Sequence, residues 1–142
     1  MIQRFTEIRV QTKGQGLYEI TDDVITECSH AGVLNGLINL SILHTSASML
    51  IQENADDDVL ADLHRYFNGL VPRGAGYRHE SEGDDDMPAH IRSALTTTNL
   101  SVSVKDHKLV LGKWQGLFVF EHRDRPHDRK IMCHILGQLK ER

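Results

Sequence analysis

The sequence predicts an α+β fold: two packed antiparallel β-sheets, sandwich-like, with about three short helices on one side. Two observations lead there. The C-terminal third is a succession of β-rich runs joined by polar turns, "NLSVSV" (99–104), "KLVLGKW" (108–114), "GLFVFEH" (116–122) and "RKIMCHILGQL" (129–139). Helical segments also fail to alternate regularly with strands, which argues against a doubly wound parallel sheet. The chain has 142 residues, enough for one domain, 1–142, with a core that needs no disulfide staples.

In chain order, "IQRFTEIRVQT" (2–12) alternates and is rich in β-branched residues, so it reads as a strand, broken by Gly14 and Gly16. "TDDVITECSHAG" (21–32) reads as a helix with Thr21 or Asp22 as its cap, acids in the first turn and Gly32 at its end. "GLINLSILHTSASMLIQEN" (36–54) is long enough for two strands with a bend near "TSAS". The clearest helix is 54–70, capped by Asn54 or Asp56, with Val59, Leu63, Tyr66, Phe67 and Leu70 on one stripe. Residues 71–86 form a Gly-rich charged loop, and Pro88 suits the first turn of a helix ending near Leu95. The total is roughly seven strands.

A net charge of −4 and the lack of a basic stripe disfavour a nucleic-acid partner. No apolar run reaches membrane length, and "MIQRFTEIRV" lacks the core of a signal peptide, so a cytoplasmic protein is expected. The two cysteines, Cys28 and Cys133, lack CxxC spacing. "GQGLYE" (14–19) lacks the third glycine of a dinucleotide fingerprint.

Nine histidines are many for this length, and three stretches place some of them beside acids. In "HESEGDDDMPAH" (79–90), Asp86 and His90 are four apart and meet in the first turn of a helix, while a loop can fold His79 back toward them. A carboxylate beside an imidazole fixes its tautomer or shares a metal with it. The same pattern also suits a charged loop before a capped helix. In "SILHTSASMLIQENAD" (41–56), His44 ends an apolar strand where hydroxyl residues cluster; it reads equally as an edge histidine bonded to backbone. No GxSxG elbow surrounds Ser46 or Ser48. In "LGKWQGLFVFEHRDR" (111–125), Arg123 and Arg125 can grip an anion, while Trp114 and Gln115 open a buried-looking strand beside Glu121. No HExxH zinc motif and no EF-hand pattern is present.

Taken in series, "LHTSASMLIQENAD", "YRHESEGDDDMPAHIRSAL" and "LVLGKWQGLFVFEHR" resemble the YjbQ-like proteins, also called the secondary thiamine-phosphate synthase family. The likeness covers essentially the whole chain. Asn99, His107 and Lys113 stand where the family signature usually has Ser, Gly and Thr. The resemblance implies a homotrimer with a pocket near the subunit interface. It implies metal ligands His44, His79 and His90, catalytic acids Glu121, Asp86 and Glu53, and substrate-binding groups Arg123, Trp114, Gln115 and Ser46. Zinc leads among divalent metals for three imidazoles with an open fourth position. The implied activity is a weak thiamine-phosphate synthase reaction on a small phosphorylated substrate. The same ligands also suit a metal-assisted hydrolase or a non-enzymatic trimeric binding module.

Overall fold

The computed structural model describes residues 1–141. Its strands and helices run in the order β1 (Ile2–Gln11), β2 (Gly16–Glu19), α1 (Thr21–Ala31), β3 (Val33–Ile42), β4 (Ala47–Glu53), α2 (Asp57–Leu70), α3 (Asp86–Leu95), β5 (Asn99–Lys105), β6 (Lys108–Leu109), β7 (Gln115–Glu121) and β8 (Asp128–Leu139). They form a five-stranded sheet, β1-β8-β3-β5-β6, and a three-stranded sheet, β2-β7-β4. Every ladder is antiparallel.

Alternation along the strands builds the core. Ile38, Leu40 and Ile42 of β3 and Ile131, Cys133 and Ile135 of β8 point inward and meet Ala47 and Met49 of β4 and Leu117 and Val119 of β7. The period of two sends the intervening residues of the large sheet outward, where Phe5 lies stacked on His134. β7 is apolar on both faces because both are covered. Phe118 and Phe120 turn away from the large sheet, and Phe120 meets Phe67 of α2 edge-on at 5.4 Å between ring centroids. α1 contributes Val24 and Cys28 to the core between the sheets.

Several local expectations change. The stretch 16–19 forms a four-residue strand, β2, paired with β7; it raises the strand total to eight. The strand expected over 108–114 shortens to Lys108–Leu109, and the turn at 112–115 follows it, closed by Gln115 Oε1 accepting from the Gly112 N–H at 2.7 Å. α1 has no side-chain cap: Thr21 Oγ instead donates to Glu19 at 2.7 Å and accepts from the Leu117 N–H at 2.9 Å. Asp56 does cap α2, accepting from the Asp58 N–H at 2.9 Å. Gly32 closes α1 in the left-handed conformation, φ 67°. Among the described residues, no helix is long and apolar enough to cross a membrane.

Candidate metal centre

The first turn of α3 and the loop before it carry the densest group of metal-capable side chains. Asp86 opens α3, and His90 lies one turn along on the same face, so the helix itself holds these two together. The loop 71–85 then brings His79 to the same carboxylate. His79 Nε2 lies 2.5 Å from Asp86 Oδ2, and His90 Nε2 lies 3.3 Å from that oxygen. The two rings stand edge to face, 5.3 Å apart between centroids. One donor atom from each of His79, Asp86 and His90 falls within 4.8 Å of the others.

The loop is held by two arginines. Arg73 grips Asp124 through two hydrogen bonds, 2.6 and 2.5 Å, and reaches Asp84 at 3.3 Å. Arg123, just beyond β7, donates from Nε to Asp85 at 2.9 Å, from one terminal nitrogen to Asp86 Oδ1 at 2.6 Å, and from the other to the Glu82 carbonyl at 2.9 Å. Gly83 takes φ 108°, which an L side chain rarely adopts, in the turn leading to Asp85. Asp86 is buried, and burial opposes its ionisation; the His79 hydrogen bond and the Arg123 charge outweigh that and hold its carboxyl below the usual range.

The tautomers decide what the cluster can hold. His90 Nδ1 donates to the Thr45 carbonyl at 2.9 Å, so the neutral ring leaves Nε2 as a bare lone pair. That lone pair faces the ionised Asp86 oxygen. Two acceptors 3.3 Å apart repel unless a proton or a cation lies between them. A backbone carbonyl on the far nitrogen is the usual support for a metal-binding imidazole. For ligand bonds near 2.05 Å, a tetrahedral ion sets its donors about 3.3 Å apart. The His90–Asp86 spacing already equals this, while His79 must move back by under an ångström. Two imidazoles and a carboxylate with open positions fit zinc.

His44 stands outside this set. Its Nε2 accepts the Lys130 N–H at 2.8 Å, so Nδ1 carries the hydrogen of the neutral ring and neither nitrogen offers a free lone pair. Burial, then the charge of Arg129, pushes the His44 imidazole below its ordinary pKa. His44 and His90 nevertheless line one open hollow of about 440 Å³ with Thr45, Ser93 and Thr96.

The other expected residues go elsewhere. Glu121 is fully buried and faces the large sheet, not the cluster. It accepts from Arg129 at 2.8 and 2.5 Å, from Thr12 Oγ at 2.7 Å and from its neighbours' backbone, a saturated structural ion pair. Ser46 Oγ accepts from the same Arg129 at 3.0 Å. Arg123, expected to clamp an anion from solution, spends its three nitrogens on Asp85, Asp86 and Glu82. Glu53 pairs with Gln115 at one end of the small sheet, and Ala47 pairs with Glu121 at the other. Six residues of strand separate these ends by about 20 Å. Trp114 adjoins the Glu53–Gln115 end; it is 54% exposed, with Lys113 Nζ 4.7 Å from its ring centroid. Within one subunit, then, Glu53, Trp114 and Gln115 do not join the histidines.

Two buried groups escaped sequence reading. His122 Nε2 and Ser48 Oγ share a hydrogen bond of 2.9 Å, and Thr96 Oγ lies 2.6 Å from Ser48. Burial, then Arg92 and Arg129, drives His122 down to about 3. Arg92 is buried, donates to the Val71 carbonyl at 3.0 Å, and has no carboxylate partner among the described residues. Only the period-two pattern of β4 and β7 hinted that Ser48 and His122 share a face.

The family model described as UPF0047 protein YjbQ-like matches residues 6–138. The UPF0047 protein sll1880 of Synechocystis is 48% identical over 131 residues, covering 92% of this chain and 89% of the relative. YjbQ of Salmonella typhimurium is 41% identical over 132 residues, covering 92% and 96%. A crystal structure of an uncharacterized conserved YjbQ/UPF0047 protein from Clostridium acetobutylicum superposes with a TM-score of 0.86 at 32% identity, covering 92% of this chain and 99% of the other. The matched span contains the small sheet, nearly all of the large one and every residue of the histidine–aspartate cluster, and this chain belongs to the UPF0047 family of YjbQ-like proteins.

Proposed function

We propose that this protein is a divalent-metal enzyme acting on a small phosphorylated substrate, with zinc held by His79, Asp86 and His90. The observation that carries the reading is the convergence of His79 Nε2 and His90 Nε2 on one Asp86 oxygen, with His90 Nδ1 already committed to the Thr45 carbonyl. A divalent cation held there supplies positive charge for a departing phosphate group and lowers the pKa of a bound water. His79, Asp86 and His90 would hold the ion, leaving its open positions to water or substrate. Arg123 acts through Asp86, keeping it ionised and the loop in place.

Family resemblance supports a transfer reaction that forms thiamine phosphate. The thiazole nitrogen bonds to the pyrimidine methylene carbon, the carbon–oxygen bond to pyrophosphate breaks, and pyrophosphate leaves with the electron pair. A homotrimer belongs to the same proposal, supported by the exposed Phe5 and Leu37 on a sheet face that no helix of the described residues covers. Two free, buried cysteines suit a cytoplasmic setting.

A second reading, hydrolysis of a small phosphoester, is favoured by one observation. Trp114 and Gln115 lie at the far end of the small sheet and Arg123 is fully engaged, so none of these three groups is available to a pyrophosphate beside the cluster within one subunit. Purified protein loaded with zinc, given the pyrimidine pyrophosphate with and without the thiazole phosphate, separates the readings. Product that requires both substrates and is lost in His79→Ala and His90→Ala supports synthesis. Phosphate release without the thiazole partner supports hydrolysis. Zinc binding without either turnover refutes the enzymatic proposal. Light scattering that gives a monomer mass refutes the trimer.

A further inference from the structure

Two side-chain contacts seat α3 on β4. Midway along the helix, His90 Nδ1 donates to the Thr45 carbonyl, in the turn before β4, at 2.9 Å. At its end, Thr96 Oγ lies 2.8 Å from the Arg92 carbonyl and 2.6 Å from Ser48 Oγ of β4. Ser48 Oγ in turn lies 2.9 Å from Nε2 of His122, just beyond β7. The Met49 N–H continues this seam by donating to the Thr97 carbonyl at 2.7 Å.

The protons of the hydroxyl chain follow from its far end. A carbonyl only accepts, so Thr96 donates to Arg92 and has no second proton to give. Ser48 then donates to Thr96, and His122 Nε2 carries the hydrogen that reaches Ser48. This sense satisfies all three contacts. The opposite sense leaves two oxygen lone pairs facing one another at Arg92. The Ser48 hydroxyl therefore points away from the imidazole, the reverse of an activated nucleophile, and both residues are fully buried. The chain holds structure in place rather than performing chemistry.

What it holds is the backing of the metal cluster. Arg92 joins both halves of that cluster. Its buried guanidinium donates to the Val71 carbonyl at 3.0 Å, at the root of the loop that carries His79. Its own carbonyl, on the helix that carries Asp86 and His90, receives the Thr96 hydroxyl. Thr45 and Ser48 are three residues apart where β4 begins, so a shift of α3 that releases Ser48 also strains the bond between His90 and Thr45.

We infer that Thr96 is a positioning residue for His90: its hydroxyl fixes the end of α3 on β4 and so keeps the His90 ring on the Thr45 carbonyl, with Nε2 presented to the ion. The inference deepens the metal reading above and rests on it for the ion; the seating of His90 rests on the contacts of α3 alone. Partners behind a ligating imidazole change metal affinity by about 10- to 100-fold, and Thr96 acts one step further back, at the lower end of that range.

The test uses the full chain as wild type, Thr96→Val, Thr96→Ser, Ser48→Ala and Ile135→Val. Valine keeps the shape of threonine without its hydroxyl, and serine keeps the hydroxyl. Ile135→Val loosens the core between the sheets and controls for stability alone. Zinc affinity is read by competition with a chromophoric chelator, and the seating of His90 by nitrogen NMR of its ring in the zinc-free protein. Thr96→Val is expected to lower zinc affinity about tenfold and to lose the fixed Nδ1–H form of His90, whereas Thr96→Ser and Ile135→Val stay within about twofold of wild type. Ser48→Ala gives the same loss, and the double variant Ser48→Ala/Thr96→Val loses no more than either single one, because one chain is cut twice. Should Thr96→Val fail to fold, Ser48→Ala against Ile135→Val makes the same comparison. Wild type that binds no zinc, with the His90 signal lost in Thr96→Val and kept in Thr96→Ser, removes the metal reading and leaves the positioning role standing. A His90 signal unchanged in Thr96→Val overturns the inference. So does zinc affinity that is unchanged in Thr96→Val, or that falls as far in Thr96→Ser or Ile135→Val.

Discussion

His122 makes this fold sensitive to mild acid, and the size of the effect can be worked from its surroundings. Only 1% of the residue is exposed. One face of the ring lies 4.4 Å from Phe120 between centroids, and Nε2 is bonded to Ser48. Burial first, then the charges of Arg92 and Arg129 and the nearby His64, lower its pKa from 6.5 to about 3. The folded state therefore refuses a proton that the unfolded chain accepts. The neutral-ring contribution is present in full above pH 6.5 and is lost as pH falls toward 3. Between those limits stability falls as the pH is lowered, by about 2–3 kcal/mol at pH 4.5. His122→Gln keeps a hydrogen-bonding partner for Ser48 and cannot titrate. Urea denaturation at pH 7.0 and 4.5 gives the two free energies for each protein. His44 and His64, whose pKa values are also lowered, and the ion-paired acids respond alike in both proteins, so the difference between them isolates His122. The variant is expected to retain about 2–3 kcal/mol more of its neutral-pH stability at pH 4.5. Parallel losses in the two proteins would refute a buried, neutral His122.

Three further outcomes are expected. In competition with a chromophoric chelator, His79→Ala and His90→Ala each lose more than about 100-fold in zinc affinity, whereas His44→Ala loses less than about tenfold, since Lys130 already occupies its lone pair. Glu121→Gln leaves Arg129 buried without its counter-charge and costs about 3–5 kcal/mol in urea unfolding, with zinc affinity unchanged. Arg123→Ala frees the loop 71–85 and leaves Asp85 and Asp86 without their cation; it costs about 3 kcal/mol, part of which saturating zinc restores.

Local physics made much of this protein legible from its sequence. Alternation along 2–12 and 129–139 marks two neighbouring strands because one sheet face is buried and the other is not. The Asp56 cap and the stripe through Phe67 mark α2, and the four-residue spacing of Asp86 and His90 puts them on one helix face whatever surrounds it. β2 was invisible because four residues beginning at Gly16 carry no readable period, and 108–114 looked like a strand because its apolar content is high, although the Gln115 side chain closes a turn on Gly112.

What only the tertiary structure decided is which polar atoms remain unspent. Nothing local says that the Lys130 N–H, 86 positions away, takes the His44 lone pair, or that the Thr45 carbonyl takes the His90 proton and leaves Nε2 facing Asp86. Sheet register puts Glu121 against Arg129 and sends Trp114 and Gln115 to the opposite end of the small sheet from the histidines. Secondary structure follows from periodicities within a few residues, whereas coordination chemistry depends on which lone pairs long-range packing has already consumed.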